Sequence, residues 1–251
     1  MGATDTIAAL ADRLAGATRV TVITGAGISA ASGVPTFRGA DGLWKRFRAE
    51  ELATPEAFAA DPRLVWEWYD WRRQLIAACH PNAAHEVLAR WGRRSGFTLI
   101  TQNVDGLHER AGSPDVIRFH GCIWDVRCRD RCPGSPARWR DETVPFTTLP
   151  PPCPYCGGMI RPDVTWFGEI IDAGVLSRCA EAARCDVFLT VGTSAVVYPA
   201  AALVFDASRR GAFTVEINIE DTPASASLDA VIRGKVEEIL VEVDRHYSAS
   251  R

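Results

Sequence analysis

Four cysteines stand in two close pairs, Cys128-x3-Cys132 and Cys153-x2-Cys156. Four thiolates so spaced match a closed tetrahedral zinc site, structural because no position is left open for catalysis. A thioredoxin-type redox pair should open a helix, and Pro151, Pro152 and Pro154 argue against that here. Cys122 competes as a ligand because the first pair is wide, while Cys79, Cys179 and Cys185 are scattered. Paired cysteines in a chain without a secretion-like start favour metal over disulfides.

Three other groupings carry chemistry. His120, between an apolar run and Gly121, can reach a cleft as a general base or serve as a structural histidine. Asn103 and Asp105 place an amide and a carboxylate two residues apart, on one side of an extended segment. A carboxamide ligand such as nicotinamide needs that donor and acceptor, although a turn is the simpler reading of the spacing. Tyr69 and Arg72 are three apart on a predicted helix and share a face, so phenol and guanidinium can bind a carboxylate together. Arg73 serves equally well by geometry, and an aromatic packing face edged by a solvated arginine also fits.

These residues need elements to hold them. Val20–Ile23 reads as a buried parallel strand, followed by Gly25-Ala26-Gly27, where missing side chains let a backbone approach a phosphate. Alone, such a glycine motif is weak. Residues 4–16 read as an amphipathic helix, and Thr54-Pro55 and Asp61-Pro62 as capped helix starts, the second opening an aromatic-rich helix to Cys79. A helix over Ala83–Arg93 follows, then strands at Phe97–Ile100, Val116–Phe119, Asp186–Val191 and Thr214–Ile217, and a closing helix near 235–247. Residues 122–160, rich in proline and holding the paired cysteines, read as a metal-stapled excursion without its own core. Short apolar strands that run into small or polar residues predict an α/β fold, an open parallel sheet with ligands outside the strand C-termini.

With 251 residues, 47% hydrophobic and 24% charged, the chain has an ordinary soluble-enzyme composition. Its net charge of −3 speaks against nucleic acid as main partner, and no apolar run reaches membrane-spanning length. A cytoplasmic protein is expected, its oligomeric state open and a monomer compatible.

In sequence order these blocks resemble the sirtuins, NAD-dependent protein deacylases. The resemblance rests on Gly25–Ser29 through Pro35-Thr36-Phe37-Arg38, Thr101–Asp105, Phe119-His120-Gly121 and the cysteine pairs. It continues through Arg161-Pro162-x-Val164-x-Trp166-Phe167-Gly168-Glu169, Gly192-Thr193-Ser194 and Asn218-Ile219-Glu220, nearly the whole chain. It implies a Rossmann-like NAD-binding domain with helices on both faces, built from 1–40, 81–121 and 161–251. A smaller domain combines a helical module, 41–80, with a zinc-binding module, 122–160. NAD and an acyl-lysine peptide would enter the cleft between the domains from opposite sides.

By the same resemblance Gly25, Ala26, Gly27, Ile28 and Ser29 approach the pyrophosphate, and Phe37, Arg38 and Trp44 lie on the cofactor loop. Gln102, Asn103, Val104 and Asp105 line the nicotinamide pocket. Gly192, Thr193, Ser194, Asn218, Ile219 and Glu220 serve the adenosine end, with Val236 near the adenine. The acyl oxygen attacks the ribose C1′, nicotinamide leaves, and His120 acts as base through the ribose hydroxyls. Products are free lysine and 2′-O-acyl-ADP-ribose. Val164, Trp166, Phe167, Gly168 and Glu169 hold the protein substrate as an added strand. Tyr69 and Arg72 resemble the Tyr-x-x-Arg pair of the branch that removes succinyl and malonyl groups; resemblance alone selects Arg72 over Arg73.

Asp163 stands where that branch has His, and Thr165 where it has an apolar residue, which leaves peptide preference open. The expected activity is NAD-dependent removal of acidic acyl groups and acetyl from lysine, with one structural zinc. The alternatives are a deacetylase indifferent to acidic acyl groups, a hydride-transferring oxidoreductase on the same fold, and a zinc-ribbon adaptor or nucleic-acid binder using Arg127, Arg129, Arg131, Arg138 and Arg140.

Overall fold

The computed structural model describes residues 3–35 and 49–249. Its main sheet comprises β1 (Val20–Thr24), β2 (Phe97–Thr101), β3 (Val116–Arg118), β7 (Val187–Val191), β8 (Phe213–Asn218) and β9 (Ala230–Arg233). These six strands run parallel in the order β3-β2-β1-β7-β8-β9. A second sheet, order β5-β4-β6, is antiparallel and joins β4 (Gly121–Cys128), β5 (Trp139–Arg140) and β6 (Ile160–Val164).

Buried strands need cover on both faces, and alternation assigns the two sides. Val22, Leu99, Leu189 and Val215 meet α1 (Ala3–Gly16), α5 (Ala83–Trp91) and α9 (Val236–Ala249). Ile23, Ile100 and Phe188 meet α7 (Ala173–Ala182) and α8 (Leu203–Arg209). The expected doubly covered α/β sheet is therefore present. Helix α5 stops at Trp91, short of Arg93, and β3 at Arg118, short of Phe119.

The remaining helices are α2 (Ala49–Leu52), α3 (Pro55–Ala60), α4 (Pro62–Ala78) and α6 (Leu107–Arg110). The two Pro-led starts are capped as their sequences require: Thr54 accepts from the Ala57 amide at 3.0 Å and Asp61 from Leu64 at 2.9 Å. Helix α4 lays Trp66, Trp68, Tyr69 and Ile76 against Ile123, Trp124, Val126 and Ile160 of the second sheet. Trp66 Nε1 also donates to the Ile160 carbonyl at 2.8 Å. The 122–160 segment therefore has its apolar side chains in a core that it shares with α4. Each aromatic so buried contributes on the order of 2–3 kcal/mol, which makes the two modules interdependent.

Arg73 reinforces that seam. Fully buried, it donates to the carbonyls of Ile123, Asp141 and Thr143, and its guanidinium lies over Trp124 and Phe146. Among the described residues, no helix is long and apolar enough to cross a membrane.

Candidate functional site

Strand order reverses between β1 and β7, the switch point at which open parallel sheets leave a crevice. There Gly25 and Gly27 press against the loop after β7. A Cβ on Gly25 would stand 2.7 Å from Thr193 Cα, and one on Gly27 2.8 Å from Gly192 Cα. The amides of Gly25 and Gly27 donate to Val191 and Gly192 carbonyls at 3.0 and 2.8 Å. Phosphate access was the expected reason for these glycines, but the contact that excludes a side chain here is loop against loop. Ala26–Ser32 follows as a 3-10 helix, and Ile28 turns fully into the core.

Ser29 is the hub of the crevice floor. Its hydroxyl donates to Asp105 Oδ2 at 2.8 Å and accepts from Asn103 Nδ2 at 3.2 Å. His85 Nε2 lies 3.4 Å away. In a capping box His85 Nδ1 lies 3.3 Å from the Asn82 amide and 3.1 Å from Asn82 Oδ1, which leaves Nε2 facing Ser29. Asn103 Nδ2 also donates to the Gly25 carbonyl at 3.0 Å, and Asp105 Oδ1 accepts from the Leu107 amide. Burial raises the Asp105 pKa, partly offset by the Leu107 and Ser29 hydrogen bonds. Behind this cluster the His108 ring lies 4.8 Å from that of His85, its Nε2 on Thr24 Oγ1. Sequence reasoning missed both histidines; the Asn82-x-x-His85 cap was the only available signal.

His120 Nδ1 lies 3.1 Å from the Gln102 carbonyl. A carbonyl can only accept, so Nδ1 carries the proton and Nε2 keeps its lone pair. Burial lowers the His120 pKa, with the Gln102 bond acting against it. A neutral imidazole held in one tautomer suits a general base. Its own carbonyl accepts from the Thr165 amide at 3.0 Å, binding it to the segment after β6.

On the far side of the crevice Gln102 Nε2 donates to Thr193 Oγ1 at 2.9 Å, and Asn218 Nδ2 to the Thr193 carbonyl at 2.9 Å. Ile219 is exposed, as is Glu220, and Ser194 is half-buried. Val236 opens α9 with its side chain in the core, and Val104 packs into the small-domain core. Phe37, Arg38 and Trp44 lie outside the described residues.

Tyr69 is fully buried, and Trp166 Nε1 donates to its hydroxyl at 2.8 Å. Arg72 lies with its guanidinium 4.8 Å from the Trp68 ring centroid and 5.9 Å from that of Tyr69. Burial lowers the Arg72 pKa, opposed by Tyr69 and Asp105. Trp166 is clamped from behind: Arg161 stacks on its ring and forms an ion pair with Glu169 at 2.6 Å, whose carboxylate also accepts the Trp166 amide. Phe167 is half exposed beside Gly168, whose φ of +84° suits glycine. Asp163 faces Arg127 at 3.3 Å and Arg138 at 3.7 Å.

The sulfurs of Cys128, Cys132, Cys153 and Cys156 all lie within 4.8 Å of one another. Cys128–Cys156 and Cys132–Cys153 are 3.9 and 4.0 Å apart, close to the about 3.8 Å edge of a tetrahedron with zinc–sulfur bonds near 2.3 Å. The donor set fits one structural zinc. Cys122 is excluded, buried elsewhere against Arg140 at 3.4 Å. The arginines that favoured a nucleic-acid surface are largely paired: Arg127 and Arg138 with Asp163, Arg129 with Asp130, and Arg140 with Glu142.

A Sir2 family model matches residues 25–199. An NAD-dependent protein deacylase of Aquifex aeolicus is 52% identical over 226 residues, 89% of this chain and 93% of that protein. A solved Sir2 homologue–NAD complex superposes with TM-score 0.89 at 44% identity, covering 96% of this chain and 94% of the other. A complex of Sir2 with a p53 peptide and NAD+ gives 0.85 at 28% identity, covering 96% and 98%.

Proposed function

The chain belongs to the Sir2 family of NAD-dependent protein deacylases, and from that premise we propose that it removes succinyl and malonyl groups from lysine, and acetyl groups as well. One observation carries the acidic-acyl reading. The two arginines that sequence geometry left equivalent have separate employment: Arg73 is spent on three carbonyls in the module seam, whereas Arg72 lies over Tyr69 and is near enough to Asp105 for their charges to interact. A guanidinium beside a phenolic donor, with apolar walls from Trp68 and Trp166, recognises a carboxylate at the end of an acyl chain.

NAD, as co-substrate, supplies the electrophilic ribose carbon and the bond to nicotinamide that breaks. Asn103 and Asp105, fixed through Ser29, offer the amide and carboxyl groups that would hold a carboxamide. His120 would take a ribose hydroxyl proton at Nε2, its Nδ1 proton held by Gln102. The peptide would lie along residues 164–169. The amides of Thr165, Trp166, Phe167 and Glu169 already donate within the protein. An added strand would therefore read this segment through its carbonyls more than its amides. Domain boundaries follow the same reading, with NAD on the six-stranded sheet and the modules 41–80 and 122–160 across the cleft. The likeness to a p53 peptide complex supports acyl-lysine proteins as substrates.

Mass spectrometry of matched succinyl-, malonyl- and acetyl-lysine peptides incubated with NAD tests this. Faster removal of the acidic groups, with one nicotinamide released per lysine freed, is expected; equal or faster acetyl removal refutes the acidic preference.

A further inference from the structure

Strand β8 departs from the pattern of its neighbours. Phe213, Val215 and Ile217 pack into the core beneath α1, α5 and α9, but the opposite side carries Thr214, Glu216 and Asn218. A central parallel strand is ordinarily apolar on both faces. Glu216 is nonetheless only 1% exposed, so something must compensate a buried carboxylate.

The compensation comes from the crossover that follows. Residues 219–229 contain no α-helix, only a 3-10 turn at Ser225–Ser227. They fold back over β8 through polar bonds. Thr222 Oγ1 donates to Glu216 Oε2 and Ser225 Oγ to Glu216 Oε1, the latter at 2.7 Å. Arg233, the cross-strand partner of Asn218 on β9, returns its guanidinium to Glu216 at 3.1 Å and also pairs with Asp221. At the other end Asp229 accepts both the amide and the hydroxyl of Thr214 at 2.8 Å. The crossover is therefore held at its start by Glu216 and its donors and at its end by Asp229 on Thr214, with Ala224 and Leu228 as its apolar contacts.

The first residues of that crossover are the ones assigned to the adenosine end of NAD. Asn218 is two residues from Glu216 on the same side of the strand, and its Oδ1 accepts the Ile219 amide at 2.9 Å. We propose that Glu216 is a positioning residue for the NAD reaction: bonded to Thr222, Ser225 and Arg233, it fixes the crossover so that Asn218, Ile219 and Glu220 stand ready for the adenosine ribose. The inference rests on the NAD reading above and adds the residue that organises that subsite.

Steady-state kinetics on the full chain test it, NAD being titrated at saturating acyl peptide and the peptide at saturating NAD. Glu216→Gln keeps the shape and removes the charge that holds Arg233 and two hydroxyls. It should raise KM for NAD about tenfold while kcat and the peptide KM shift less than about twofold. A general loss of structure would not divide the constants in this way. The double variant Thr222→Val with Ser225→Ala removes donors from the loop side and should shift KM for NAD in the same direction. Unchanged KM for NAD in folded Glu216→Gln overturns the proposal; if that variant does not fold, the same result in the loop variant does. Asn218→Ala separates the two levels. If it raises KM for NAD while the Glu216 and loop variants do not, only the positioning role falls; if it also has no effect, the adenosine assignment falls with it.

Discussion

The indole Nε1 of Trp166 donates to the hydroxyl of Tyr69 across 2.8 Å of buried space, joining the segment after β6 to helix α4. One lone pair of the phenol is thereby occupied, so its proton is directed toward another acceptor. With Arg72 over the same ring, that arrangement favours a ligand that is all acceptor, such as a carboxylate. Arg72→Met should lower kcat/KM for succinyl-lysine on the order of 100-fold and for acetyl-lysine less than about tenfold. Arg73→Met should instead lower the melting temperature and leave the succinyl-to-acetyl ratio in place. A proportional fall of both activities in Arg72→Met contradicts the acyl-reading role.

His120→Ala should reduce turnover about 10²- to 10⁴-fold in a folded protein. The pH dependence follows from its environment. Burial lowers the His120 pKa, so the imidazole stays a base below the ordinary histidine range. The acid limb of kcat/KM should therefore fall below about pH 6.5. A limb centred above that value contradicts the assignment.

Zinc removal should act through the core that the modules share. The four cysteines anchor β4 and the segment before β6, whose Val126 and Ile160 pack on α4. Chelation should lower the melting temperature first, with activity lost only as Trp66 and Trp124 leave their buried positions, seen as a fluorescence change. A metal-free chain with unchanged melting temperature and activity contradicts a structural zinc.

The parallel sheet was legible because each strand is a short β-branched run that ends in glycine or a polar residue, as Val20–Thr24 does before Gly25. The cysteine site was legible because ligand spacing is local. What the chain could not reveal by spacing were contacts between distant segments. Gly25 and Gly27 are small because Gly192 and Thr193 press on them. The division of labour between Arg72 and Arg73 depends on carbonyls 50 to 70 residues away. His85 closes the cap at the start of α5, but its other nitrogen faces Ser29, 56 residues upstream.

That buried histidine pair makes the last prediction. Burial holds both His85 and His108 down at about 3, far below the ordinary 6.5, and at His85 the neighbouring His108 adds a smaller lowering. In the unfolded chain both take a proton near pH 6.5, while the native state excludes it until about pH 3. The unfolded state therefore binds more protons throughout that window, and stability is lost as pH falls from about 6.5 toward 3. At pH 5 each histidine should cost about 2 kcal/mol relative to pH 8. Carboxylates add their own acid response, so the comparison that isolates the pair is His108→Met against the parent chain. His108 Nδ1 has no hydrogen-bond partner among the described residues, which limits what the substitution gives up at neutral pH. Urea unfolding at pH 8 and pH 5 should show the variant losing less stability over that interval than the parent. Equal losses would mean that the buried imidazoles do not set the acid limit of this fold.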